Sequence, residues 1–173
     1  MNEINFRKAE IADIDDITRI HIESAKYAYK GFISKNNLNQ IYKKSDKKLL
    51  WHNMLNSKLV NIIVAEYHNL VVGFICFDKF IGDQVIDAVE IKTIYIDPNY
   101  IGYGVGSKLI NKVICDSRLN KIKKVYLWVL LKNALAIDFY TRKEFIKTKD
   151  KRICIDLPNL NLAEIKLIKK LNN

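Results

Sequence analysis

Apolar residues recur along the chain at two spacings, and each spacing predicts a different kind of element. Alternation and short apolar runs predict strands at residues 4–9, 60–65, 70–80, 85–96, 124–131, 144–149 and 162–171. Apolar positions three and four residues apart predict helices at 11–29, 104–117 and 133–142. The segment 35–57 is predicted to hold two short helices that break near Ser45 and Asp46.

These elements follow the order β-αα-βββ-α-β-α-ββ. The first α of the pair is the helix at 11–29, and the second is the 35–57 segment with its two short helices. Turn residues at 68–69 and 82–84 predict antiparallel hairpins, whereas the strand–helix–strand unit over 86–131 predicts a parallel pair. The pattern therefore predicts an α/β fold with a mixed, mostly antiparallel central sheet of about seven strands flanked by helices. We expect one domain over residues 1–173, because no repeat or linker interrupts the pattern.

Single residues give local predictions about where these elements begin, end and deform. Asp13 is predicted to cap the first helix, with Asp15 and Asp16 near its positive end. Gly31 is predicted to end that helix. Gly73 is predicted to mark a β-bulge.

Three glycines stand at alternate positions, Gly102, Gly104 and Gly106, between a β-rich run and a helix. Glycine permits left-handed backbone and close approach of a ligand, and a helix N-terminus offers free N–H groups to a phosphate. The order after Gly106 is serine then lysine, the reverse of a Walker A loop. A dinucleotide fingerprint would need glycine at Ser107 or Leu109. The loop therefore predicts an anion site outside both of these motifs.

The charge balance adds little to this picture. Twenty-nine basic and 19 acidic residues give a formal net charge of +10. This suits a solvated surface or attraction to an anionic, phosphorylated ligand. The lysines are scattered rather than gathered on one helix face with interleaved aromatic residues, so nucleic-acid binding is only weakly indicated.

Nothing in the sequence predicts membrane insertion or export. No apolar run reaches the roughly 18 residues of a membrane-spanning helix, and residues 1–5 lack the pattern of a signal peptide. Cys76, Cys115 and Cys154 are odd in number and embedded in apolar stretches, which predicts reduced core residues rather than disulfides or metal ligands. We therefore expect a cytoplasmic protein without a metal or a membrane partner.

Two blocks of sequence carry a resemblance to a known family. The first runs from Glu90 through Pro98 to Ser107, a strand followed by the glycine loop. The second is a strand over 127–130, followed by the residues Asn133, Ala136, Phe139, Tyr140 and Phe145. In this order they resemble the GNAT superfamily of N-acetyltransferases, over about residues 3–171. The resemblance implies a GNAT-like acyl-CoA N-acyltransferase fold and transfer of acetyl from acetyl-CoA to a primary amine.

Two positions depart from the family pattern. Ile101 stands where the family has arginine or glutamine, which removes a side-chain contact to pyrophosphate but leaves the backbone N–H groups. Glu144 stands where glycine precedes Phe145, and a left-handed non-glycine residue there costs about 1 kcal/mol.

The resemblance also implies roles for particular residues. The N–H groups of residues 101–107 would bind pyrophosphate. A backbone N–H near 94–96, where the fourth strand bulges away from the fifth, would polarise the thioester carbonyl. Tyr140 would be the acid at the departing thiolate, and Asn133 would contact the pantetheine arm, cap the helix, or do both. The implied cofactor-binding residues are Ile94, Tyr95, Ile96, Ile101, Gly102, Tyr103, Gly104, Val105, Gly106, Ser107, Asn133 and Tyr140.

The catalytic base and the acceptor are the least constrained. Even spacing in a regular strand places Glu90 on the same face as Ile94 and Ile96, although a bulge would change that. Family members often carry a base there, and Asp87 is the alternative. Five aromatic residues of the first helices are expected to pack rather than to form an acceptor cage: Tyr27, Tyr29, Phe32, Tyr42 and Trp51.

The sequence does not name the acceptor amine. Polyamines, protein N-termini or lysines, amino-sugar antibiotics and small amines all remain open, as does assembly into a homodimer. The alternative functions are a CoA-binding sensor without catalysis and a basic nucleic-acid-binding protein of the same fold.

Overall fold

The computed structural model describes residues 4–57, 59–78, 88–154 and 157–171. Within these ranges seven strands form one sheet in the order β1-β2-β3-β4-β5-β7-β6. The strands are β1 (Asn5–Lys8), β2 (Val60–Tyr67), β3 (Leu70–Asp78), β4 (Ala88–Ile96), β5 (Lys124–Leu130), β6 (Ile146–Ile153) and β7 (Ala163–Lys170). The β4–β5 pair is parallel and the other pairs are antiparallel, which confirms the predicted mixed sheet.

Five α-helices cover the two surfaces of this sheet within the described residues. They are α1 (Ile14–Tyr29), α2 (Lys35–Ile41), α3 (Lys44–Asn56), α4 (Val105–Leu119) and α5 (Ala134–Thr141). One apolar core joins α4 and α5 to the sheet, and two others join α1, α2 and α3 to the opposite surface. We call these surfaces the α4 side and the α1 side. Successive side chains of a strand point to opposite faces, so each strand contributes to the cores on both sides. Ile63 and Ile75 face α4, whereas Ile62 and Phe74 face α1.

Three of the local helix predictions need correction. The break in the 35–57 segment falls at residues 42–43, since α3 begins at Lys44 and already includes Ser45 and Asp46. Asp13 precedes α1 but its carboxylate does not cap that helix. It accepts from Arg7 and from the Glu10 N–H instead, which fastens β1 to the start of the helix.

Gly31 does not end α1 in a left-handed conformation. The helix ends at Tyr29, its C-cap Lys30 remains right-handed, and the described glycines with positive φ are those at 102 and 104. The left-handed cap predicted at Glu144 is present, with φ of 64°.

Gly73 lies beside a bulge, as predicted, and the structure supplies a second reason for glycine. The pairing of β2 with β3 slips next to it, leaving Val72 as the extra residue. A Cβ at Gly73 would lie 2.8 Å from Ile96 Cδ1 and 3.2 Å from Val105 Cγ1. Glycine therefore lets β3 lie close to β4 and to the first turn of α4.

The cysteine prediction is correct for two residues and wrong for the third. Cys76 and Cys154 are buried and outside any disulfide, whereas Cys115 is exposed. Cys115 follows the core residue Ile114 on α4, and one residue turns about 100° around a helix, so its side chain leaves the buried face. The turn predicted at 82–84, and with it Asp87, lies outside the described residues.

Among the residues that the structure describes, none of the helices combines the length and the apolar character needed to cross a bilayer.

Candidate active site

The site begins where two parallel strands separate. β4 pairs with β5 only from Ala88 to Ile91, although β4 continues to Ile96. β5 meanwhile remains paired with β7 as far as Leu130. The second half of β4 therefore has an unpaired edge that faces a gap in the middle of the sheet.

A β-bulge at Lys92 accompanies this separation. Thr93 pairs with Cys76 and Ile91 with Phe77, so Lys92 is an extra residue in β4. In a regular strand Ile91 and Ile94 would point to opposite faces, because they are three positions apart. The extra residue shifts the alternation by one, so Ile91, Ile94 and Ile96 all pack in the α4-side core. The prediction that Glu90 shares a face with Ile94 and Ile96 is therefore wrong, and Glu90 lies on the α1 side.

The backbone N–H groups of Ile94 and Ile96 point into the gap. Asp97 donates its N–H to Val72 of the β3 segment at 2.9 Å. N–H groups alternate in direction along a strand, so Tyr95 also donates toward β3 while Ile94 and Ile96 donate away from it. Of the three residues predicted to polarise a carbonyl, two have the orientation for it. Tyr95 instead projects its ring to the α1 side, where it stacks on His21.

One cleft of about 1160 Å³ passes through the gap and opens on both sides of the sheet. It is lined by every residue that the sequence assigned to the site except Tyr103, whose side chain is 54% exposed. The cleft thus joins the glycine loop on the α4 side to Glu90 on the α1 side.

The glycine loop has the conformation expected of an anion site. Gly102 and Gly104 have φ of 90° and 80°, and an added Cβ at either would meet open space. The N–H groups of Ile101 and Tyr103 donate within the turn to Pro98 and Tyr100, so they are less available than predicted. Others have no acceptor among the described residues, because they precede the first helical hydrogen bond: Gly102, Gly104, Val105, Gly106 and Ser107.

Helix α5 brings two predicted residues to the same cleft. Asn133 caps the helix by accepting the Ala136 N–H at 3.2 Å, and its side chain also lines the cleft. Tyr140 is 8% exposed and its ring contacts Phe139 and Phe145. Burial, with a smaller effect of Tyr95, raises the pKa of Tyr140, so the phenol remains protonated at neutral pH.

Glu90 is held by two neighbours on the α1 side. Its Oε2 accepts from Lys92 Nζ at 2.6 Å and from the Tyr126 hydroxyl at 3.3 Å. Burial opposes the charge of Lys92, but hydrogen bonds to Glu90 and Asp78 raise the Lys92 pKa overall. The carboxylate is therefore fixed in position and has a cation beside it.

His21 is a neutral residue that the sequence analysis did not assign to the site. Burial, helped by the charge of Lys47, lowers its pKa to about 3. Trp51 Nε1 donates to its Nδ1 at 3.0 Å, so the ring proton is on Nε2. His21 lines the cleft and stacks on Tyr95 with ring centroids 4.5 Å apart.

The aromatic residues of the first helices both pack and line the cleft. Trp51 and Tyr42 are buried, while Tyr27 is 45% exposed at the mouth. Tyr27, Tyr42 and Trp51 line the cleft together with Tyr29, and Phe32 does not. Packing and contact with a ligand are therefore compatible for most of this group.

A second carboxylate and an arginine also reach the α1 side of the cleft from β7 and β6. Glu164 accepts from Arg152 Nε at 2.7 Å, and the guanidinium lies over the ring of Trp128, 4.4 Å from its centroid. Arg152 and Glu164 lie outside the two sequence blocks that resemble the family, and no local motif marks them. The pairing of Arg152 with Glu164 across β6 and β7 could be found only from the sheet register.

Across the described ranges, no three His, Cys, Asp or Glu side chains lie close enough together to form a metal site.

Comparison with known proteins agrees with this geometry. A model of the Acetyltransferase (GNAT) family matches residues 28–145. An uncharacterized N-acetyltransferase of Methanocaldococcus jannaschii is 31% identical over 77% of this chain, which spans 56% of that protein's length. One from Archaeoglobus fulgidus is 28% identical over 82% of the chain and 92% of its own length.

Solved structures give the same result for the fold. The PaiA N-acetyltransferase of Thermoplasma acidophilum, crystallised in complex with coenzyme A, superposes with a TM-score of 0.76. The match covers 98% of this chain and 99% of that one at 18% identity. With the family match over most of the chain and the splayed sheet beside a glycine loop, this protein belongs to the GNAT family of acetyltransferases.

Proposed function

We propose that the protein transfers the acetyl group of acetyl-CoA directly to a primary amine. The observation that carries the proposal is the cleft that runs through the sheet, with free N–H groups at one end and a fixed carboxylate at the other. This arrangement lets two substrates approach from opposite sides and meet at the gap between β4 and β5.

The α4 side suits the cofactor. Five N–H groups that have no acceptor within the described ranges, at the positive end of a 15-residue helix, are ready to bind pyrophosphate. The pantetheine arm would then pass Asn133 and lie in the gap, alongside the unpaired edge of β4. The coenzyme A bound to the T. acidophilum relative supports this assignment.

The gap suits the thioester. The N–H groups of Ile94 and Ile96 point into it and are fixed by the pairing of β4 with β3. A fixed donor of this kind stabilises the oxyanion that forms when an amine attacks the carbonyl carbon. The new C–N bond forms as the carbonyl π bond opens, and the C–S bond then breaks to release the thiolate of CoA.

Two protons must leave the nitrogen during this sequence. An alkylammonium with a pKa near 10 must first become neutral, and Glu90 can receive that proton directly or through water. The second proton leaves the nitrogen after attack and passes to water, which also protonates the thiolate wherever Tyr140 supplies only a hydrogen bond. The thiolate needs one proton, and Tyr140, which lines the cleft with its phenol protonated, can donate a hydrogen bond or the proton itself. Because a thiol has a pKa near 8.5, the raised pKa of Tyr140 favours hydrogen-bond donation over full transfer.

Thioester consumption over a panel of primary amines tests the proposal, with the acetylated product identified by mass spectrometry. Acetyl-CoA and CoA binding are measured separately by calorimetry. Product with at least one amine, at a rate well above hydrolysis, is the expected result. Binding of both CoA forms without product from any amine would favour a non-catalytic CoA sensor, and absence of binding would overturn the proposal.

A further inference from the structure

Arg152 is held in a fixed position at the α1-side mouth of the cleft. Its Nε donates to Glu164 Oε2 at 2.7 Å, and its guanidinium carbon lies over the Trp128 ring, 4.4 Å from the centroid. Glu164 is itself 8% exposed and paired in register with both Arg152 and Leu130. A hydrogen bond at Nε and a cation–π contact with the Trp128 ring together hold the guanidinium at this place in the cleft.

The outer end of this guanidinium makes no hydrogen bond or ion pair with the residues that the structure describes. Its two terminal nitrogens carry four N–H groups, and none has an acceptor among the described residues. The side chain is about one-third exposed and lines the cleft, so these groups face the space that an acceptor would occupy. An ammonium group has no lone pair to accept from such donors and is repelled by the cation, whereas a carboxylate accepts two parallel hydrogen bonds from them.

A second cation adds to the positive potential at this place. Lys166 Nζ lies 4.5 Å from the ring centroid of Tyr126 and 5.9 Å from that of Trp128, on the same surface as Arg152. Its ion pair with Asp150 is long, at 3.8 Å. The rings of Tyr126 and Trp128 therefore form an aromatic floor with a cation over each, and Trp128 and Arg152 are the members of this group that line the cleft.

This cationic surface is continuous with the carboxylate proposed as the base. Tyr126 pairs with Glu90 in register and hydrogen-bonds to it, and Trp128 is the next residue of β5 on the same face. Their Cα atoms are roughly 7 Å apart, the two-residue repeat of a strand. A ligand that bridges the floor would place a negative group at Arg152 and a positive one at Glu90.

On the basis of the proposed acetyl transfer, we infer that the acceptor is a primary amine that also carries a carboxylate, an amino acid or a short peptide with a free carboxyl group. Arg152 binds the carboxylate and thereby sets acceptor specificity, while Glu90 receives the amine. Plain diamines and polyamines lack the anionic group and are excluded by this arrangement.

Matched pairs of amines test the inference. Each amino acid in a series of increasing chain length, from glycine to 4-aminobutyrate and simple dipeptides, is compared with its own carboxamide, and 2-aminoethyl phosphate is added as an alternative anion. At least one acid should exceed its amide in kcat/KM by roughly ten- to a hundredfold, the usual effect of hydrogen bonds to a charged group. The acids are also titrated calorimetrically into CoA-saturated protein, which measures binding without chemistry.

Three variants locate the effect. Arg152→Met should lower kcat/KM for the acid much more than for its amide and so remove the preference, with the acetyl-CoA KM within a few-fold of wild type. Since this change leaves Glu164 without its ion pair, Arg152→Lys is the second variant, which retains a cation but loses the fork and should lose most of the preference. Lys151→Met removes an exposed neighbouring charge and should change nothing.

The outcomes separate this inference from acetyl transfer itself. Equal use of acids and amides, equal losses for both in Arg152→Met, or a preference for 2-aminoethyl phosphate would overturn the carboxylate assignment and leave acetyl transfer standing. If no amine is acetylated, the proposed function fails, and calorimetry decides the inference alone: acid binding that depends on Arg152 supports it, and binding that does not overturns it.

Discussion

The two ends of the cleft are built in different ways. On the α4 side the functional groups are backbone N–H groups of consecutive residues, placed by two left-handed glycines and the start of one helix. On the α1 side they are side chains brought together from β4, β5, β6, β7 and α1. The first end depends on local conformation, whereas the second depends on the register of the sheet.

This difference has a consequence for how each end responds to substitution. A backbone site tolerates most side-chain changes but not a change of φ or an added charge near its ligand. In a site built from side chains, each substitution removes one functional group, so the contribution of each group can be measured separately. The five predictions below address the two ends and the gap that joins them, from the largest expected effect to the smallest.

Tyr140→Phe should have the largest effect on turnover. It removes only the hydroxyl and retains the ring contacts with Phe139 and Phe145. We expect kcat to fall by roughly ten- to a thousandfold while acetyl-CoA affinity stays within a few-fold. Stopped-flow measurement of the chemical step checks this, with Tyr67→Phe, outside the cleft, as the control. Unchanged chemistry would make Tyr140 a packing residue only.

Gly104→Asp should weaken CoA binding by roughly a hundredfold relative to Gly104→Asn. Both residues must adopt the left-handed conformation that the loop requires at this position, so the comparison isolates the charge. A carboxylate about 6 Å from a phosphate costs about 3 kcal/mol at an effective dielectric constant of about 20. Calorimetry measures both variants. Equal affinities would mean that pyrophosphate does not bind at this loop.

Gly73→Ala tests the support beneath the gap rather than either end. The new Cβ would press on Ile96 and Val105, so we expect a loss of about 1–3 kcal/mol in the free energy of unfolding. Gly31→Ala is the control, because a Cβ there meets nothing within 4 Å. Urea denaturation compares the two. A similar small change in both would show that the contacts relax without cost.

Glu90→Gln should lower kcat/KM for the amine about tenfold at pH 7 and partly recover at high pH, where free amine is abundant. Acetyl-CoA affinity should stay the same. Glu164→Gln is the matched comparison, since it removes the other carboxylate of the cleft. A pH-independent loss, accompanied by lower stability, would make Glu90 structural.

His21 should contribute a pH dependence to stability on the α1 side. Its folded pKa of about 3 lies below the unfolded value near 6.5, so the unfolded state binds more protons between these values. Stability therefore falls as pH decreases through this window, by at most about 1.4 kcal/mol per pH unit. His21→Gln should flatten the profile and the exposed His52→Gln should not, as measured by urea denaturation from pH 7 to 4.5. Parallel profiles for His21→Gln and wild type would contradict the assignment.

Sequence reasoning succeeded where the determinants are local. The glycine loop and the Asn133 cap depend on residues close together in the chain, and the parallel β4–β5 pair follows from the strand–helix–strand order; each was predicted. The bulge at Lys92 was not located, because it exists only relative to β3. Arg152 and Glu164 were missed for the same reason, since their meeting is set by the pairing of β6 with β7.

The bulge at Lys92 also determines which mutations β4 can accept. Because of one extra residue, Glu90 and Tyr95 share a surface, although side chains five positions apart lie on opposite faces of a regular strand. Deletion of one residue near 92 would restore regular alternation and turn one half of the strand inside out. Substitutions at its exposed positions leave this phase intact, whereas insertions and deletions do not. In related chains β4 should therefore vary in composition but keep its length.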